Sequence, residues 1–248
     1  MAIDGPFDLT EDRLLGGRVR LTQPADGYRA AIDPVLLAAA VEAAPGESVA
    51  DLGCGVGAAA LCLLARVPGV HVVGVEVQAV LADLARRNAE ANGHGDDFVV
   101  VEASVAASVL PPGSFDHVMT NPPFQPAGRG TPPPTTVKAR ANVEGDVDLP
   151  GWIRAAARLL RPKGRLVVIH RPDRLGDLLA ALAGRGLGAV RILPLWPAAD
   201  RPASRVIVSA RKGSKAPPEL LPGLVLHRDG GGFSDTAETV LRGGAALA

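Results

Sequence analysis

The segment Val49-Ala50-Asp51-Leu52-Gly53-Cys54-Gly55-Val56-Gly57 decides the fold. Apolar residues lead into three glycines at alternate positions, and a helical pattern over Ala58–Val67 follows. Glycine permits a tight turn and allows the backbone to approach a ligand closely. A second apolar strand, His71–Glu76, ends on a carboxylate 25 residues after Asp51. The segment predicts a strand, a ligand-binding turn and a helix, with Glu76 able to accept hydrogen bonds from ribose hydroxyls.

Strand and helix patterns alternate along the rest of the chain. The predicted strands are Ser48–Leu52, His71–Glu76, Phe98–Val101, Phe115–Thr120, Arg165–His170, Val190–Leu195 and Val206–Ala210. The predicted helices are Asp33–Ala44, Ala58–Val67, Gln78–Asn92, Leu149–Leu160 and Arg174–Arg185. This alternation predicts an α/β fold with a doubly wound, mostly parallel sheet and helices on both faces. Ligands bind such sheets beyond the carboxyl ends of the strands.

Short polar signals mark several element boundaries. Asp33 before Pro34 is typical of a helix N-cap followed by proline at the first helical position. Asn92-Gly93 predicts the end of a helix. Arg161-Pro162-Lys163-Gly164 predicts a turn that leads into a strand. A short helical pattern at Asp235–Leu241 carries no functional prediction.

Composition sets limits on the protein class. The chain has 248 residues, of which 47% are hydrophobic and 21% charged, which argues for one globular domain and against wholesale disorder. Its net charge of zero excludes a strongly basic nucleic-acid binder. Residues 1–124 carry 7 Lys/Arg and 16 Asp/Glu, whereas residues 125–248 carry 19 and 10. The basic half predicts a surface for a polyanion, unless folding interleaves the two halves.

Cysteine, histidine and hydropathy patterns predict neither a metal nor a membrane. Cys54 and Cys62 cannot form a disulfide framework or a metal-binding spacing, and the five histidines are scattered. The N-terminus lacks a basic segment followed by an apolar run. No stretch approaches the ~18 uninterrupted apolar residues of a membrane span. The sequence therefore predicts a cytoplasmic protein, and it does not predict an oligomeric state.

Two cofactors fit the glycine turn. Gly53-x-Gly55-x-x-Ala58 matches the dinucleotide fingerprint. Asp51-x-Gly53-x-Gly55-x-Gly57 equally matches a loop that binds S-adenosylmethionine (SAM). A pyrophosphate prefers bare backbone N–H groups at a helix start, whereas the ammonium of SAM requires an acceptor, which Asp51 supplies. The turn thus favours SAM over a nicotinamide cofactor, with a plain structural turn as the third interpretation.

The fourth strand runs into Asn121-Pro122-Pro123-Phe124. The Asn121 side-chain oxygen and the Pro122 carbonyl can both accept hydrogen bonds from one planar –NH2 group, and the prolines hold these acceptors in place. Two acceptors draw the nitrogen lone pair out of conjugation and aim it at a methyl donor. Phe124 can stack on an amide or on a base flipped out of its stack. The motif favours amine methylation over a proline-stiffened surface turn.

The glycine turn and the Asn-Pro-Pro-Phe motif together resemble the class I SAM-dependent N-methyltransferases. Three N-terminal segments narrow the match: Asp12–Arg18, Gln23-Pro24 and Gly27–Leu37. They resemble the bacterial tRNA(Val) adenine-N6 methyltransferase family, and the resemblance covers roughly residues 10–227 in order of features. It implies a seven-stranded sheet whose last strand is antiparallel. It also implies that the N-terminal segment covers SAM, with Tyr28, Arg29 and Asp33 near the cofactor or substrate.

These inferences define a set of candidate residues and regions. The predicted catalytic residues are Asn121, Pro122, Pro123 and Phe124. The predicted cofactor-binding residues are Tyr28, Asp33, Asp51, Gly53, Cys54, Gly55, Gly57, Glu76, Val77, Ser104 and Asn121. Related enzymes usually carry an acidic residue where Ser104 stands, which leaves the contact to the adenine of SAM open. The predicted regions are a cover segment (1–32), a methyltransferase domain (33–227) and a C-terminal tail (228–248).

Basic residues near the motif predict contacts to RNA phosphates. Residues 125–142 predict a long loop beside the site, and it carries Arg129, Lys138 and Arg140. A second basic cluster comprises Arg201, Arg205, Arg211, Lys212 and Lys215. Phosphate contacts would make binding salt-dependent, and an ordinary solvated surface is the alternative for each cluster. Aromatic residues are 3% of the chain, which favours recognition of a folded RNA with one extruded base over an extended stacking platform.

Five functions follow from these patterns. The first is methylation of adenine N6 in RNA, with tRNA as the leading substrate. The second is methylation of a glutamine side-chain amide in a protein, although little room precedes Asp51 for the N-terminal helical domain usual in such enzymes. A small-molecule hydroxyl methyltransferase would need a metal or a general base. A nicotinamide oxidoreductase has no use for Asn121–Phe124, and Ser104 leaves a non-catalytic SAM-binding scaffold open.

Overall fold

The computed structural model describes residues 8–26, 30–107, 109–124 and 147–247. Its strands are β1 Leu9–Leu14, β2 Val19–Pro24, β3 Ser48–Leu52, β4 His71–Glu76, β5 Phe98–Glu102, β6 Phe115–Thr120, β7 Leu160–His170, β8 Leu187–Trp196, β9 Arg205–Lys212, β10 Glu219–Leu220 and β11 Leu224–Val225. Its helices are α1 Ile32–Ala39, α2 Ala58–Arg66, α3 Ala79–Ala91, α4 Leu149–Leu159, α5 Leu175–Leu182 and α6 Asp235–Leu241.

The central sheet has the predicted doubly wound topology. Its strand order is β10-β8-β9-β7-β6-β3-β4-β5, and β11 also pairs with β8. Strands β3 to β7 pair in parallel, whereas β9 runs antiparallel to both β7 and β8. The antiparallel last strand of the seven-stranded core is therefore confirmed. Two strands of two residues each, β10 and β11, extend this core within the described chain. Strands of two residues are too short to show an alternation of apolar and polar residues, so they were not predicted from the sequence.

Helices cover both faces of the sheet. Helices α1, α2, α3 and α6 enclose one apolar layer, in which Leu36 and Leu61 are fully buried. Helices α4 and α5 enclose the other layer, around Ile153 and Leu178. Burial of each such side chain contributes roughly 1.5–3 kcal/mol to stability. No helix in the described parts of the chain is long and apolar enough to cross a membrane.

Helix α1 differs from its prediction at both ends. It begins at Ile32, and no side chain caps its N-terminus, so the prediction of Asp33 as the N-cap is wrong. Asp33 lies in the first turn instead, where its carboxylate pairs with Arg205 at 2.8 Å. The helix ends at Ala39 rather than at Ala44, and the N–H of Val41 bonds the carbonyl of Ala38 three residues back instead of continuing the α-helical pattern.

The turn predicted before β7 lies inside that strand. Strand β7 begins at Leu160 rather than at Arg165. Leu160 and Arg165 pair with Phe115 and His117 of β6, so residues 161–164 form an irregularity in the ladder. Lys163 has a φ of 67°, the left-handed conformation of a turn. The turn chemistry was predicted correctly, and only its place relative to the strand was wrong.

The N-terminal hairpin of β1 and β2 was not predicted. The outer edge of β2 is closed by two asparagines, Asn88 in the last turn of α3 and Asn92 at its C-cap. Asn88 bonds the N–H and the carbonyl of Thr22 at 2.8 and 2.9 Å. Asn92 bonds the same two groups of Arg20 at 2.9 and 2.7 Å. The two side-chain amides therefore take the place of a neighbouring strand and fix the hairpin against α3.

The C-terminal segment packs on the same layer as α1. Helix α6 begins after Ser234, whose hydroxyl accepts from the N–H of Ala237 at 3.1 Å. Val240 is buried in the layer of α1 and α2, and the N–H of Leu247 donates to the carbonyl of Ala39 at 2.8 Å. The helix predicted at Asp235–Leu241 is confirmed. The division of the chain at residues 32 and 227 stays a prediction.

Candidate active site

The carboxyl ends of β3, β4, β5 and β6 meet at one edge of the sheet. The ladders align Leu52 with Val75 of β4 and with Thr120 of β6. The glycine turn, Glu76 and Asn121 therefore emerge side by side at this edge. A cavity of about 540 Å³ opens there, a size typical of sites for small molecules and cofactors.

Most of the predicted site residues line this cavity. They are Asp51, Gly53, Cys54, Gly55, Glu76, Val77, Ser104, Asn121, Pro122, Pro123 and Phe124. The wall also includes Gln23, Leu81, Val105 and Trp152, none of which was predicted as a site residue. Asp33 and Gly57 are not among the lining residues of the described chain. Tyr28 and Arg29 lie outside the described residues.

The three glycines of the turn serve different purposes. All three have a positive φ, between 55° and 85°. A Cβ on Gly53 would lie 2.5 Å from the ring of Trp152, and one on Gly57 would lie 2.6 Å from the ring of Phe98. A Cβ on Gly55 would meet nothing within 4 Å. Packing thus requires glycine at the outer two positions, whereas Gly55 lines open space where a ligand can approach the backbone.

Asp51 is a buried carboxylate in the cavity wall. It is 2% exposed, and its Oδ2 has no hydrogen-bond partner among the described residues. Burial raises the pKa of Asp51 to about 7; a backbone hydrogen bond from Ala60 opposes this shift and the charge of Glu76 adds to it. A buried oxygen without a donor destabilises the fold. An ammonium group in the cavity would satisfy this oxygen.

Glu76 is oriented by the backbone around it. Its Oε2 accepts from the N–H of Gly55 at 3.0 Å, and its Oε1 accepts from the N–H of Gln78 at 2.9 Å. Burial raises the pKa of Glu76, and the surrounding backbone N–H groups moderate this shift. Each carboxylate oxygen has a second lone pair. Glu76 is thus held in place with acceptor capacity left for a pair of ribose hydroxyls.

Ser104 lines the cavity after β5, where the resemblance implies an acidic residue. Its hydroxyl accepts from the N–H of Ala106 at 3.3 Å, and its carbonyl accepts from the N–H of Ala107 at 2.9 Å. These two bonds form the short 3₁₀ turn Val105–Ala107. Ser104 therefore shapes the turn, and its hydroxyl can still donate its own proton to a ligand.

The Asn-Pro-Pro-Phe segment follows β6 directly. The hydroxyl of Thr120 donates to the carbonyl of Leu52 at 2.8 Å and ties the ends of β6 and β3 together. Asn121 comes next and therefore lies beside the glycine turn. Pro122 is buried, whereas Pro123 and Phe124 are half-buried. The segment presents amide and carbonyl acceptors and an aromatic ring to the cavity.

Phe124 is held by residues from distant parts of the chain. The guanidinium of Arg205 lies 5.1 Å from the centroid of its ring, and the imidazole of His170 lies 5.4 Å away. Arg174 donates to the carbonyl of Phe124 at 3.1 Å. The sequence did not predict this group. The only sequence signal was that His170 ends one predicted strand and Arg205 directly precedes another.

Much of the second basic cluster is used by the fold. Lys212 donates to two carbonyls at the end of α4, at 2.7 and 2.5 Å. Arg211 donates to a backbone carbonyl at 3.3 Å, and Arg205 pairs with a carboxylate. Arg201 and Lys215 are exposed. The first basic cluster, Arg129, Lys138 and Arg140, lies outside the described residues.

The thiols and acids of the described chain form no reactive or metal-binding group. Cys54 and Cys62 are free and buried. Burial raises the pKa of Cys62 to about 12 and raises that of Cys54 well above its ordinary value, so both stay protonated thiols. Among the described residues, no cluster of three or more His, Cys, Asp or Glu could hold a metal ion.

The architecture defines a doubly wound α/β protein with a cavity suited to a nucleoside-containing cofactor. The methyltransferase small domain family matches residues 31–182. A tRNA1(Val) (adenine(37)-N6)-methyltransferase of Porphyromonas gingivalis is 34% identical over 190 residues, which are 71% of this chain and 74% of that protein. A release factor glutamine methyltransferase of Chlorobaculum tepidum is 36% identical over 94 residues, 37% of this chain and 32% of that protein.

Solved structures agree with this family assignment. A protein from Agrobacterium tumefaciens, named a predicted O-methyltransferase, superposes with a TM-score of 0.73 and 29% identity. The superposition covers 87% of this chain and 98% of that one. The chain belongs to the methyltransferase small domain family and is a SAM-dependent methyltransferase.

Proposed function

We propose that this enzyme methylates the exocyclic N6 amine of an adenine in tRNA. The observation that carries the proposal is that Asn121, Pro122 and Phe124 line the same cavity as the glycine turn. An amine acceptor and a methyl donor would therefore meet in one enclosed space. The Porphyromonas gingivalis relative, whose name specifies adenine N6 of a tRNA, supports this choice of acceptor.

The part of the cavity that is lined by the glycine turn and the end of β4 fits SAM. Asp51 offers a buried carboxylate oxygen to the ammonium of the methionine end, and Glu76 offers two oriented oxygens to the ribose hydroxyls. Val77, whose side chain is largely exposed, offers an apolar surface to the adenine ring. Bound SAM supplies the methyl group on a reactive sulfonium. Gly53, Cys54, Gly55 and Ser104 complete the proposed cofactor site. The assignment of Tyr28 and Asp33 to the cofactor stays a prediction from the sequence.

The acceptor edge works by positioning and by hydrogen bonding. The Asn121 side-chain oxygen and the Pro122 carbonyl accept the two N–H bonds of the acceptor amine. Because both acceptors draw on the same planar group, the nitrogen lone pair leaves conjugation with the ring and becomes nucleophilic. Pro122 and Pro123 fix φ at about −65°, so these acceptors need no reorganisation during the reaction. Phe124 stacks on the acceptor ring.

The proposed partner is RNA, bound through phosphates. The contacts assigned to it are Arg129, Lys138, Arg140 and exposed cations of the basic C-terminal half, such as Arg201. Binding should then weaken steeply with salt. A tRNA substrate also places the enzyme in the cytoplasm. In this proposal residues 33–227 carry out the reaction and residues 1–32 cover the cofactor, and residues 228–248 are assigned no role.

The test is transfer of labelled methyl from SAM to tRNA and rRNA that lack their modifications. Wild-type enzyme should label tRNA, nucleoside analysis should recover N6-methyladenosine, and Asn121→Ala should remove the label. Calorimetry on Asn121→Ala should still show SAM binding, which separates loss of chemistry from loss of the cofactor site. Wild-type enzyme that binds SAM and labels no RNA would refute the proposal.

A glutamine side-chain amide is the second candidate acceptor. The local similarity to a release factor glutamine methyltransferase favours it, and a primary amide presents the same –NH2 geometry to Asn121. The same assay with a peptide-chain release factor distinguishes the two candidates. Label in the release factor, with none in RNA, would support the second candidate.

A further inference from the structure

The ring of Phe124 has a cation against it. The guanidinium carbon of Arg205 lies 5.1 Å from the ring centroid, within the ~6 Å at which a cation is attracted to an aromatic face. The two residues are 81 positions apart in the chain. Their contact therefore depends on the tertiary fold, and it joins the start of β9 to the end of β6.

Arg205 is itself held in a fixed orientation. Its Nε donates to Oδ2 of Asp33 at 2.8 Å, and its Nη1 donates to the carbonyl of Ser204 at 2.8 Å. The Asp33 side chain is 12% exposed and that of Arg205 is 30% exposed. Two hydrogen bonds from different edges of the guanidinium define its plane. Asp33 thereby links α1 to the aromatic residue of the acceptor edge.

Phe124 borders the cavity, and the cation that packs on its ring does not. Phe124 lines the cavity, whereas Arg205 and Asp33 are not among its lining residues. The guanidinium therefore contacts Phe124 without itself lining the cavity. A planar acceptor can stack on Phe124 only if the plane of the ring is fixed.

We propose that Arg205, oriented by Asp33, is a positioning residue that fixes the ring plane of Phe124 for stacking of the acceptor. The inference rests on the proposed function, because it assigns the acceptor to this ring. Arg205 does not touch the reacting atoms. It acts through Phe124, and its loss allows the ring to rotate away from the orientation that aligns the acceptor amine with Asn121.

Neighbouring contacts have separate tasks. Arg174 donates to the carbonyl of Phe124 at 3.1 Å, so it holds the main chain rather than the ring. His170 packs against the ring at 5.4 Å. Burial lowers the pKa of His170 to about 4, with Arg174 adding to the effect, so its imidazole is neutral at physiological pH. The charge that attracts the ring face is therefore that of Arg205.

The kinetic test compares Arg205→Ala, Arg205→Lys and Asp33→Asn with the control Arg191→Ala. Arg191 also pairs with a carboxylate, Glu42, and its side chain has similar exposure, 35%. Misplacement of a reacting group by about 1 Å can lower a rate about 10²-fold, so Arg205→Ala should lower kcat/KM for the acceptor about 10- to 100-fold. Its Kd for SAM should match that of Arg191→Ala. Rates are expressed per folded molecule, because loss of Arg205 leaves the nearly buried Asp33 carboxylate without its cation and lowers Tm. Arg205→Lys retains the charge and should recover part of the loss.

A second measurement needs no acceptor. The chain has five phenylalanines, which can be replaced by para-fluorophenylalanine, and Phe124→Leu assigns the fluorine signal of Phe124. Arg205→Ala should shift and broaden this signal in the substrate-free enzyme, and Arg191→Ala should leave it unchanged. If wild-type enzyme labels no RNA, the proposed function fails while this measurement still tests the ring. The inference is overturned if Arg205→Ala leaves both the signal and kcat/KM unchanged, or if a fall in SAM affinity accounts for the whole loss of kcat/KM.

Discussion

The acids at the two edges of the sheet differ in the partners that the chain provides for their carboxylates. At the carboxyl edge, Asp51 keeps an oxygen without a donor among the described residues, and burial raises its pKa to about 7. At the amino edge, Asp116 accepts from both the N–H and the hydroxyl of Ser48, at 2.9 and 2.8 Å, and pairs with Arg161. Beside it, Glu47 bonds His117 at 2.9 Å.

The pKa values express this difference. Burial alone would raise the pKa of Asp116, but hydrogen bonds from Ser48 and the charge of Arg161 outweigh it and lower the pKa. The pKa of Glu47 is lowered in the same way, chiefly by the N–H of Ala44 and by His117. A second cavity, of about 410 Å³, lies at this amino edge, yet the acids in its wall pair with its bases. The acids therefore differ in charge pairing: among the described residues no cation pairs with Asp51, whereas Asp116 pairs with Arg161 and Glu47 with His117.

The largest effect should come from Asn121→Ala at the carboxyl edge. Removal of one preorganised hydrogen-bonding group from an active site lowers kcat about 10²- to 10³-fold. We expect a loss of this size in methyl transfer, with Tm and SAM affinity close to those of wild type. Single-turnover rates at saturating SAM measure it. A fall in SAM affinity that accounts for the whole rate loss would contradict the assignment of Asn121 to the acceptor.

Asp51→Asn should separate binding from stability at the same edge. It removes the charge that faces the SAM ammonium, and we expect the Kd for SAM to rise about 10- to 100-fold, the range of one charged hydrogen bond left unmade. Stability should not fall, because a neutral amide buries more easily than a carboxylate. Calorimetry and thermal unfolding without SAM measure the two effects. Unchanged SAM affinity would remove Asp51 from the cofactor site.

Asp116→Ala should show the reverse pattern at the amino edge. It leaves the N–H of Ser48 and the guanidinium of Arg161 without their carboxylate, which should lower the free energy of unfolding by about 1–3 kcal/mol. Urea unfolding measures this loss. Methyl transfer per folded molecule should match wild type. Loss of methyl transfer in an Asp116→Ala variant with wild-type stability would show that the amino edge contributes to activity and not only to stability.

The pH dependence should also differ between the edges. Asp51 has a pKa of about 7 when folded and an ordinary value of 3.8, so its contribution to stability falls as pH rises from 3.8 to about 7. SAM affinity should rise over the upper part of this range, as Asp51 ionises, and Asp51→Asn should abolish that rise. Asp116 and Glu47 have lowered pKa values, so their contribution is complete above the ordinary values of 3.8 and 4.5 and is lost only in stronger acid. Calorimetry at pH 6 and pH 8 checks the first effect, and acid unfolding checks the second.

The cofactor half of the site could be predicted from sequence because its residues are close in the chain. Strands Ser48–Leu52 and His71–Glu76 were predicted to the residue, and the turn between them carries its own glycine signal. The supports of Phe124 could not be predicted, since Asp33 and Arg205 are 172 residues apart. Arg205 appeared to be one more surface cation.

The hairpin was missed for a different physical reason. Strand β1, Leu9–Leu14, reads LTEDRL, and every residue in it is exposed or half-buried, so it shows no apolar face. The asparagines that close its partner strand resemble ordinary polar residues on a helix surface. Hydrogen bonds from asparagine side chains to the backbone of a strand produce no periodic pattern of residue types in the sequence. Only the structure shows them.

The asparagine contacts also set an order of folding. Arg20 and Thr22 leave the ribosome 72 and 66 residues before the side chains that bond their outer edge. An isolated two-stranded hairpin is marginally stable in water, so β1 and β2 become fixed only after α3, which is synthesised later, has formed. Asn88 also donates to the carbonyl of Val56 in the glycine turn, at 3.0 Å. The hairpin, α3 and the turn should therefore exchange their amide protons as one cooperative unit, and local opening of the hairpin would loosen the cofactor loop with it.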